Sequence, residues 1–298
     1  MEKNIYLQEF DIPQIVLFYE MLKAYPQVAV SHELANQYIL DCIGDRNELT
    51  IFDIGIGKGK QIESLIKSIQ KENKQIEMIN IIGLDPDPMN LKDSEKKFKE
   101  LAATVPIILN FFPICNFIEK LPDEKLTWIK NIASNNLFIN SALAFHHITH
   151  PLGDYDYRTK IIERLKKLNP VLFTLIEPNS NHDIEVLSKR FHNSWNHFSI
   201  VFELIDESGI KPEHKYLIKE KFFGREIRDM FSVSDYLRCE RHETVESWIL
   251  RLSKAGLKPY KYDNIQARMP EYCQVNIEDG CIDLGYKSVP LVGVLAYW

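Results

Sequence analysis

The stretch Leu49-Thr50-Ile51-Phe52-Asp53-Ile54-Gly55-Ile56-Gly57-Lys58-Gly59 reads as an apolar strand turning through three alternating glycines into a helix. Glycines at such a turn remove the Cβ atoms that hold a backbone off a ligand, and the helix start presents unpaired N–H groups. This is the local grammar of a nucleotide-cofactor loop. The frame is G-x-G-x-G behind an aspartate, where a pyrophosphate cradle would show G-x-G-x-x-G. A carboxylate at the strand end suits a positively charged ligand. S-adenosylmethionine carries such a charge as an ammonium group.

Outward from the loop, apolar strands alternate with helices. The pattern predicts strands at 49–54, 79–84 ending at Asp85, 105–109 or slightly beyond, 136–141 and 171–176. Helices are expected at 59–71 (Ile62, Leu65, Ile66 and Ile69 inward), 88–102 and 156–168. Two helices precede the loop: 12–24, with Ile12, Ile15, Val16, Tyr19 and Leu22 on one face, and 31–43, capped by Ser31. Such alternation predicts an α/β fold with a mostly parallel Rossmann-like sheet and helices on both faces. Beyond residue 183 the order breaks. Ile184, Leu187, Phe191, Trp195, Phe198, Phe202 and Ile205 form the apolar stripe of a long helix, and more helix follows a break at Gly209–Pro212. A helix at 243–255 closes at Gly256. The tail returns to strands at 257–263, in a hairpin turning at Glu278-Asp279-Gly280, and at 291–298, giving an antiparallel edge. The expected organisation is an N-terminal helical cap over 1–48 and a core over 49–298, interrupted by a helical insertion at about 183–240.

The chain has 298 residues, enough for one elaborated domain, and a net charge of −6 from 36 basic and 42 acidic side chains. The charges are interspersed, which argues against nucleic acid as a partner. Five cysteines without C-x-x-C or zinc spacing read as reduced thiols. The opening Met-Glu-Lys-Asn-Ile has no signal-peptide pattern and no run approaches a membrane span, so the expectation is a cytoplasmic protein without membrane association, export as an effector remaining open.

In an open parallel sheet, ligands lie beyond the carboxyl ends of the strands. There the sequence places Asp53, Gly55, Gly57 and Gly59 after the first strand and Asp85 after the second, where a carboxylate can accept from ribose hydroxyls. Asn116 after the third strand and Ser141 in the fourth complete the cofactor candidates. Acid/base candidates are His147, Glu177, His182, Arg241 and His242. His146 and His147 lack a third ligand at metal spacing, so packing is the preferred reading and no metal is expected. The dense run Arg238-Cys239-Glu240-Arg241-His242-Glu243 most often marks a solvated helix start with local ion pairs.

Ser141-Ala142-Leu143-Ala144-Phe145-His146-His147-Ile148, with the glycine loop and Asp85, resembles class I S-adenosylmethionine-dependent methyltransferases. More specifically, the chain is similar to a bacterial member of the GRAS family, whose plant relatives are transcriptional regulators. Leu34-Ala35-Asn36-Gln37-Tyr38-Ile39-Leu40 resembles that family's "ANQAIL" helix and Leu49–Asp53 its "VHIID" strand. Leu168-Asn169-Pro170 to Glu177-Pro178-Asn179 resembles its "INP" segment, and Glu240-Arg241-His242-Glu243 with Trp248 and Leu252 its "ERHE" block. Asp279-Gly280-Cys281, Leu284-Gly285-Tyr286 and Ala296-Tyr297-Trp298 resemble its ending. The resemblance implies a methyltransferase-like core under a helical cap. Two functions are compatible with it: methyl transfer from S-adenosylmethionine to a small molecule under the cap, or a non-catalytic regulatory module that binds a protein partner through the cap groove. Dense aromatics at Phe191, Trp195, Phe198, Phe202, Phe222 and Phe223 would serve as lid or partner surface.

Overall fold

The computed structural model describes residues 4–72, 74–149, 151, 154–232 and 234–298; the opening Met1–Lys3 lies outside them. Helices α1 (Gln14–Met21) and α2 (Pro26–Cys42) precede β1 (Glu48–Ile54). Then follow α3 (Lys60–Lys71), β2 (Met78–Asp85), α4 (Pro88–Ala102), β3 (Ile108–Cys115), α5 (Asp123–Ala133), β4 (Leu137–Ala142), α6 (Tyr157–Lys166) and β5 (Leu172–Pro178). The insertion contains α7 (Leu187–Glu207), α8 (Pro212–Tyr216), a π-helical segment (Leu217–Phe223) and α9 (Gly224–Ser232). The chain returns through α10 (Val245–Lys254), β6 (Cys273–Glu278), β7 (Cys281–Tyr286) and β8 (Val289–Tyr297).

One eight-stranded sheet has the order β3-β2-β1-β4-β5-β8-β7-β6. Strands β1 to β5 pair in parallel; β8, β7 and β6 continue the sheet antiparallel. Helices cover both faces, so the central strands are apolar on both sides: β1, β2 and β5 are buried almost throughout. One core joins α2, α3, α4, α7 and the π segment to the sheet, with Leu34, Tyr38, Ile66 and Val201 fully buried. The second, on the opposite face, joins α5, α6 and α10 around Trp248 and Phe145. The expected α/β fold, with its parallel sheet, antiparallel C-terminal edge and helical cap, is the observed one.

Several local expectations shift. Ser31 is no cap: α2 starts at Pro26, and the Ser31 hydroxyl donates inside the helix to the Val28 carbonyl at 2.7 Å. On α1 the inward residues are Gln14, Leu17 and Met21, whereas Val16 is exposed, because α1 leans on the π segment rather than on the sheet. The third strand begins only at Ile108, where pairing with Met78 starts, and its Pro113 is tolerated because β3 is an edge. Helix α5, unanticipated, has just Leu126, Ile129 and Ala133 as its inward set, too short a stripe to read. Residues 257–263 make only a bridge from Pro259 to Tyr297, since β7 already occupies that side of β8 up to Leu295.

Trp248 is fully buried, edge-on to Phe145 at 6.1 Å and beneath the Arg158 guanidinium at 5.6 Å. Trp248→Ala is expected to cost about 3–5 kcal/mol of unfolding free energy by urea denaturation; a loss below about 1 kcal/mol would contradict this packing.

Candidate functional site

The glycine loop turns back into the protein. Gly55, Gly57 and Gly59 all have positive φ (80°, 52° and 65°), which only glycine adopts at low cost. A Cβ on Gly55 would stand 2.6 Å from the Ala144 methyl, and one on Gly59 would stand 2.7 Å from the Phe98 ring. At these two positions the absent side chain makes room for the protein's own atoms. Beside the loop lies a cleft of about 160 Å³. Asp53, Gly55, Gly57, Asp85, Asn116 and His147 reach it, whereas Gly59 and Ser141 do not. The Ser141 hydroxyl donates to the Ile54 carbonyl inside the sheet.

The residues do not suit an intact S-adenosylmethionine here. Asp85 already accepts from Asp87 N (2.9 Å), Asn90 Nδ2 (3.2 Å) and Gly57 N (2.9 Å). A carboxylate offers about four acceptor positions, so roughly one is left where two ribose hydroxyls were expected. Asp53 is buried and accepts from Asn140 Nδ2 at 2.7 Å. Burial raises its pKa to about 7 against that hydrogen bond, with Asp85 adding repulsion. The cleft is also smaller than the roughly 300–1,000 Å³ of pockets that take drug-sized ligands. Tyr6, Leu7, Ile15, Phe18 and Tyr19 line its outer side, and the Tyr19 hydroxyl accepts from Lys58 N at 3.3 Å.

Of the acid/base candidates, His147 alone reaches the cleft; the others lie in a buried polar cluster behind it. The cluster is built by the segment Arg238 to Thr244, which lies outside any helix or strand and carries its side chains into the protein on two sides. Glu240 and His242 face the histidines that follow β4 and β5. His146 Nδ1 meets Glu177 Oε2 at 2.6 Å, and Phe145 N donates to Glu177 Oε1. His242 Nδ1 meets His182 Nδ1 at 2.9 Å, and His182 Nε2 meets the Ser180 hydroxyl. Arg241 and Glu243 face the other way. Arg241 donates to Asp183 at 2.8 Å and to the Asp235 carbonyl. Glu243 accepts from Arg251 at 2.8 Å and from Arg158, which also donates to the carbonyls of His146 and Ile148.

The dense run is therefore not a solvated helix start. Arg238, Glu240, Arg241, His242 and Glu243 are all buried, and the helix begins only at Val245 behind a Thr244 cap. Burial acts on each charge. It holds His242 down to about 4 and His197 to about 3, and raises Glu177 to about 7. Burial alone would raise the Glu240 pKa, but the facing His147 charge overrides it and holds Glu240 well below the carboxylate range. The single-sequence reading missed Glu240, Arg158 and Asn140, as well as Asp229, whose carboxylate accepts from the amides of Cys239 and Glu240 at 2.8 and 2.7 Å. The "ERHE" block was the signal for Glu240, since four charged residues kept beside an apolar helix are costly unless paired.

A mostly parallel Rossmann-like sheet under a helical cap, with a charge-rich segment between the two, defines the class. Residues 5–280 match the GRAS domain family, and the chain belongs to that family. It is 25% identical over 305 residues to the DELLA protein RGL1 of Arabidopsis thaliana, covering 99% of this chain and 58% of that protein. To the DELLA protein GAI of Solanum lycopersicum it is 25% identical, covering 94% of this chain and 51% of the relative. The chain thus spans little more than half the length of these relatives. The crystal structure of SCL7 from Oryza sativa superposes with a TM-score of 0.82 at 21% identity, over 96% of this chain and 83% of that one, which shows a shared fold.

An acid whose folded pKa lies above its unfolded value binds more protons when native, so its stabilising share is present at low pH and is lost as pH rises. For Asp53 the window runs from about 4 to about 7. Asp53→Asn keeps the acceptor for Asn140 but carries no charge. Its stability relative to wild type is expected to rise across that window by roughly 2–4 kcal/mol, read by urea titration at stepped pH; a flat difference curve would refute the shift.

Proposed function

We propose that this chain is a bacterial GRAS-family regulatory module that binds a protein partner through its cap. The observation that carries this reading is the first half of α7. Leu187, Phe191 and Trp195 recur every four residues on one face, and all three are more than half exposed, with Val186 beside them. The Phe191 and Trp195 rings stack at 6.3 Å, and Phe231 of α9 meets Phe191 edge-on at 6.0 Å. A contiguous aromatic face of this kind is the usual mark of a protein-binding surface. The role of the plant relatives as regulators supports the same conclusion.

The aromatic residues of the cap divide into two groups. Phe198, Phe222 and Phe223 are buried and fill the groove in which a small substrate would lie, leaving about 40 Å³ there. Phe191 and Trp195 stay outside. The proposed organisation keeps the N-terminal helices and the 183–240 insertion as cap and the remainder as core. A cytoplasmic site of action is part of this proposal. Among the described residues no helix is long and apolar enough to cross a membrane. Methyl transfer to a small molecule has the intact glycine loop in its favour, but it requires Tyr6 and Tyr19 to leave the cleft.

Two measurements separate these readings. Affinity capture with wild type and with the double variant Phe191→Ser/Trp195→Ser should show a partner whose recovery falls at least about 10-fold in the variant, with unchanged circular dichroism. Equal recovery sinks the α7 surface. Calorimetry with S-adenosylmethionine should give no saturable heat; micromolar binding lost in Asp85→Ala would restore the enzyme reading.

A further inference from the structure

Glu240 is fully buried, and neither of its carboxylate oxygens has a hydrogen-bond partner among the described residues. An ionised carboxylate left in this state is costly, and groups so placed are normally paired or coordinate a metal. Three imidazoles surround it within ion-pair distance. His146 Nε2 and His242 Nε2 stand 3.5 Å and 3.3 Å from Glu240 Oε2, and His147 Nδ1 stands 3.3 Å from Oε1. None of these approaches has the alignment of a hydrogen bond, and His147 Nδ1 is itself buried without a partner. Donor atoms of His146, Glu240 and His242 all lie within 4.8 Å of one another.

The two imidazole–carboxylate separations suit an ion placed among the donors. In a tetrahedral site with metal–ligand bonds of about 2.0 Å, neighbouring donors are about 3.3 Å apart. The outer contacts are those of metal-binding histidines, whose second ring nitrogen is held by a carboxylate or another polar group. His146 turns Nδ1 to Glu177 and so aims Nε2 at Glu240. His242 turns Nδ1 to His182, which is anchored by Ser180, and likewise aims Nε2 at Glu240.

The geometry points to a site for a divalent transition metal, zinc being the readiest occupant, held by His146 Nε2, His242 Nε2 and the Glu240 carboxylate. Two imidazoles and a carboxylate match the donor preference of Zn²⁺ and its first-row neighbours, not that of Mg²⁺ or Ca²⁺. His146 belongs to the core, after β4, whereas Glu240 and His242 end the insertion. A bound ion would therefore fasten cap to core, independently of what the outer face of α7 binds. The local spacing of His146 and His147 gives no third ligand because it arrives from the distant "ERHE" block.

The test uses the full chain, stripped with a chelator and dialysed. Zn²⁺ titration against a competing dye, with metal content by mass spectrometry, should give one tight equivalent and raise the melting temperature. Co²⁺ should give the visible bands of a four-coordinate site. Glu240→Gln and His242→Ala should weaken binding by roughly 100-fold. Should those variants unfold, Glu177→Gln, which keeps an acceptor for Phe145 N but removes the charge from the outer contact of His146, should still weaken it by about 10–100-fold. A folded wild type that retains no Zn²⁺ at micromolar concentrations overturns the proposal: Glu240 is then balanced by a protonated His147 alone. Binding unchanged in all three variants overturns it equally, by placing the ion on surface histidines such as His192 and His214.

Discussion

Besides the apolar core shared by α2, α7 and the sheet, cap and core are joined by one segment, Arg238 to Glu243, whose charges have been taken out of water. Such a segment is stable only if every charge finds a partner, because an unpaired buried ion costs several kcal/mol. Glu240 and His242 face the histidines behind β4 and β5, whereas Arg241 and Glu243 meet Asp183, Arg158 and Arg251. The backbone joins in: the amides of His182 and Asp183 both donate to the His242 carbonyl, at 2.9 and 3.1 Å. Buried ion pairs do not by themselves add stability over apolar packing. What they specify here is position, since any shift of the segment would separate buried charges from their partners.

The same inward logic governs the glycine loop. In a cofactor loop some glycines admit the ligand and others let the protein's own elements pack closely. In this chain Ala144 and Phe98 approach two of its glycines, and Asp85 accepts from the Gly57 amide. The N-terminal turn and α1 lie over the outside, with Tyr6 edge-on to His147 at 5.4 Å and Tyr19 against Lys60. The loop thus keeps its sequence and its dihedral angles while two of its glycines also serve close packing against neighbouring side chains.

The central strands and the helices between them were legible because both signals are strong: β1, β2, β4 and β5 are continuous apolar runs, and α3 places Ile62, Leu65, Ile66 and Ile69 on one face, all fully buried. Orientation against the tertiary structure was not legible. The stripe on α7 is periodic from end to end, yet its second half (Phe198, Ile205) is core and its first half (Leu187, Phe191, Trp195) faces solvent, since periodicity says that residues share a face but not what covers it. The polar cluster was half legible. His147, Glu177, His182 and His242 were each singled out, and the fold brings them together. Glu240 escaped because its environment comes from residues distant in sequence.

The sheet order carries a kinetic consequence. Strand β8 sits between β5 and β7, so Pro178 pairs with Val292 and the whole insertion lies inside the loop this pairing closes. Until that distant contact forms, the β6–β7 hairpin has no neighbour in the sheet and one edge of β5 is open. Contacts of such high sequence separation form late and slow the search for the native state. Refolding should consequently be governed by this closure, with β5 offering an unpaired, aggregation-prone edge in the meantime.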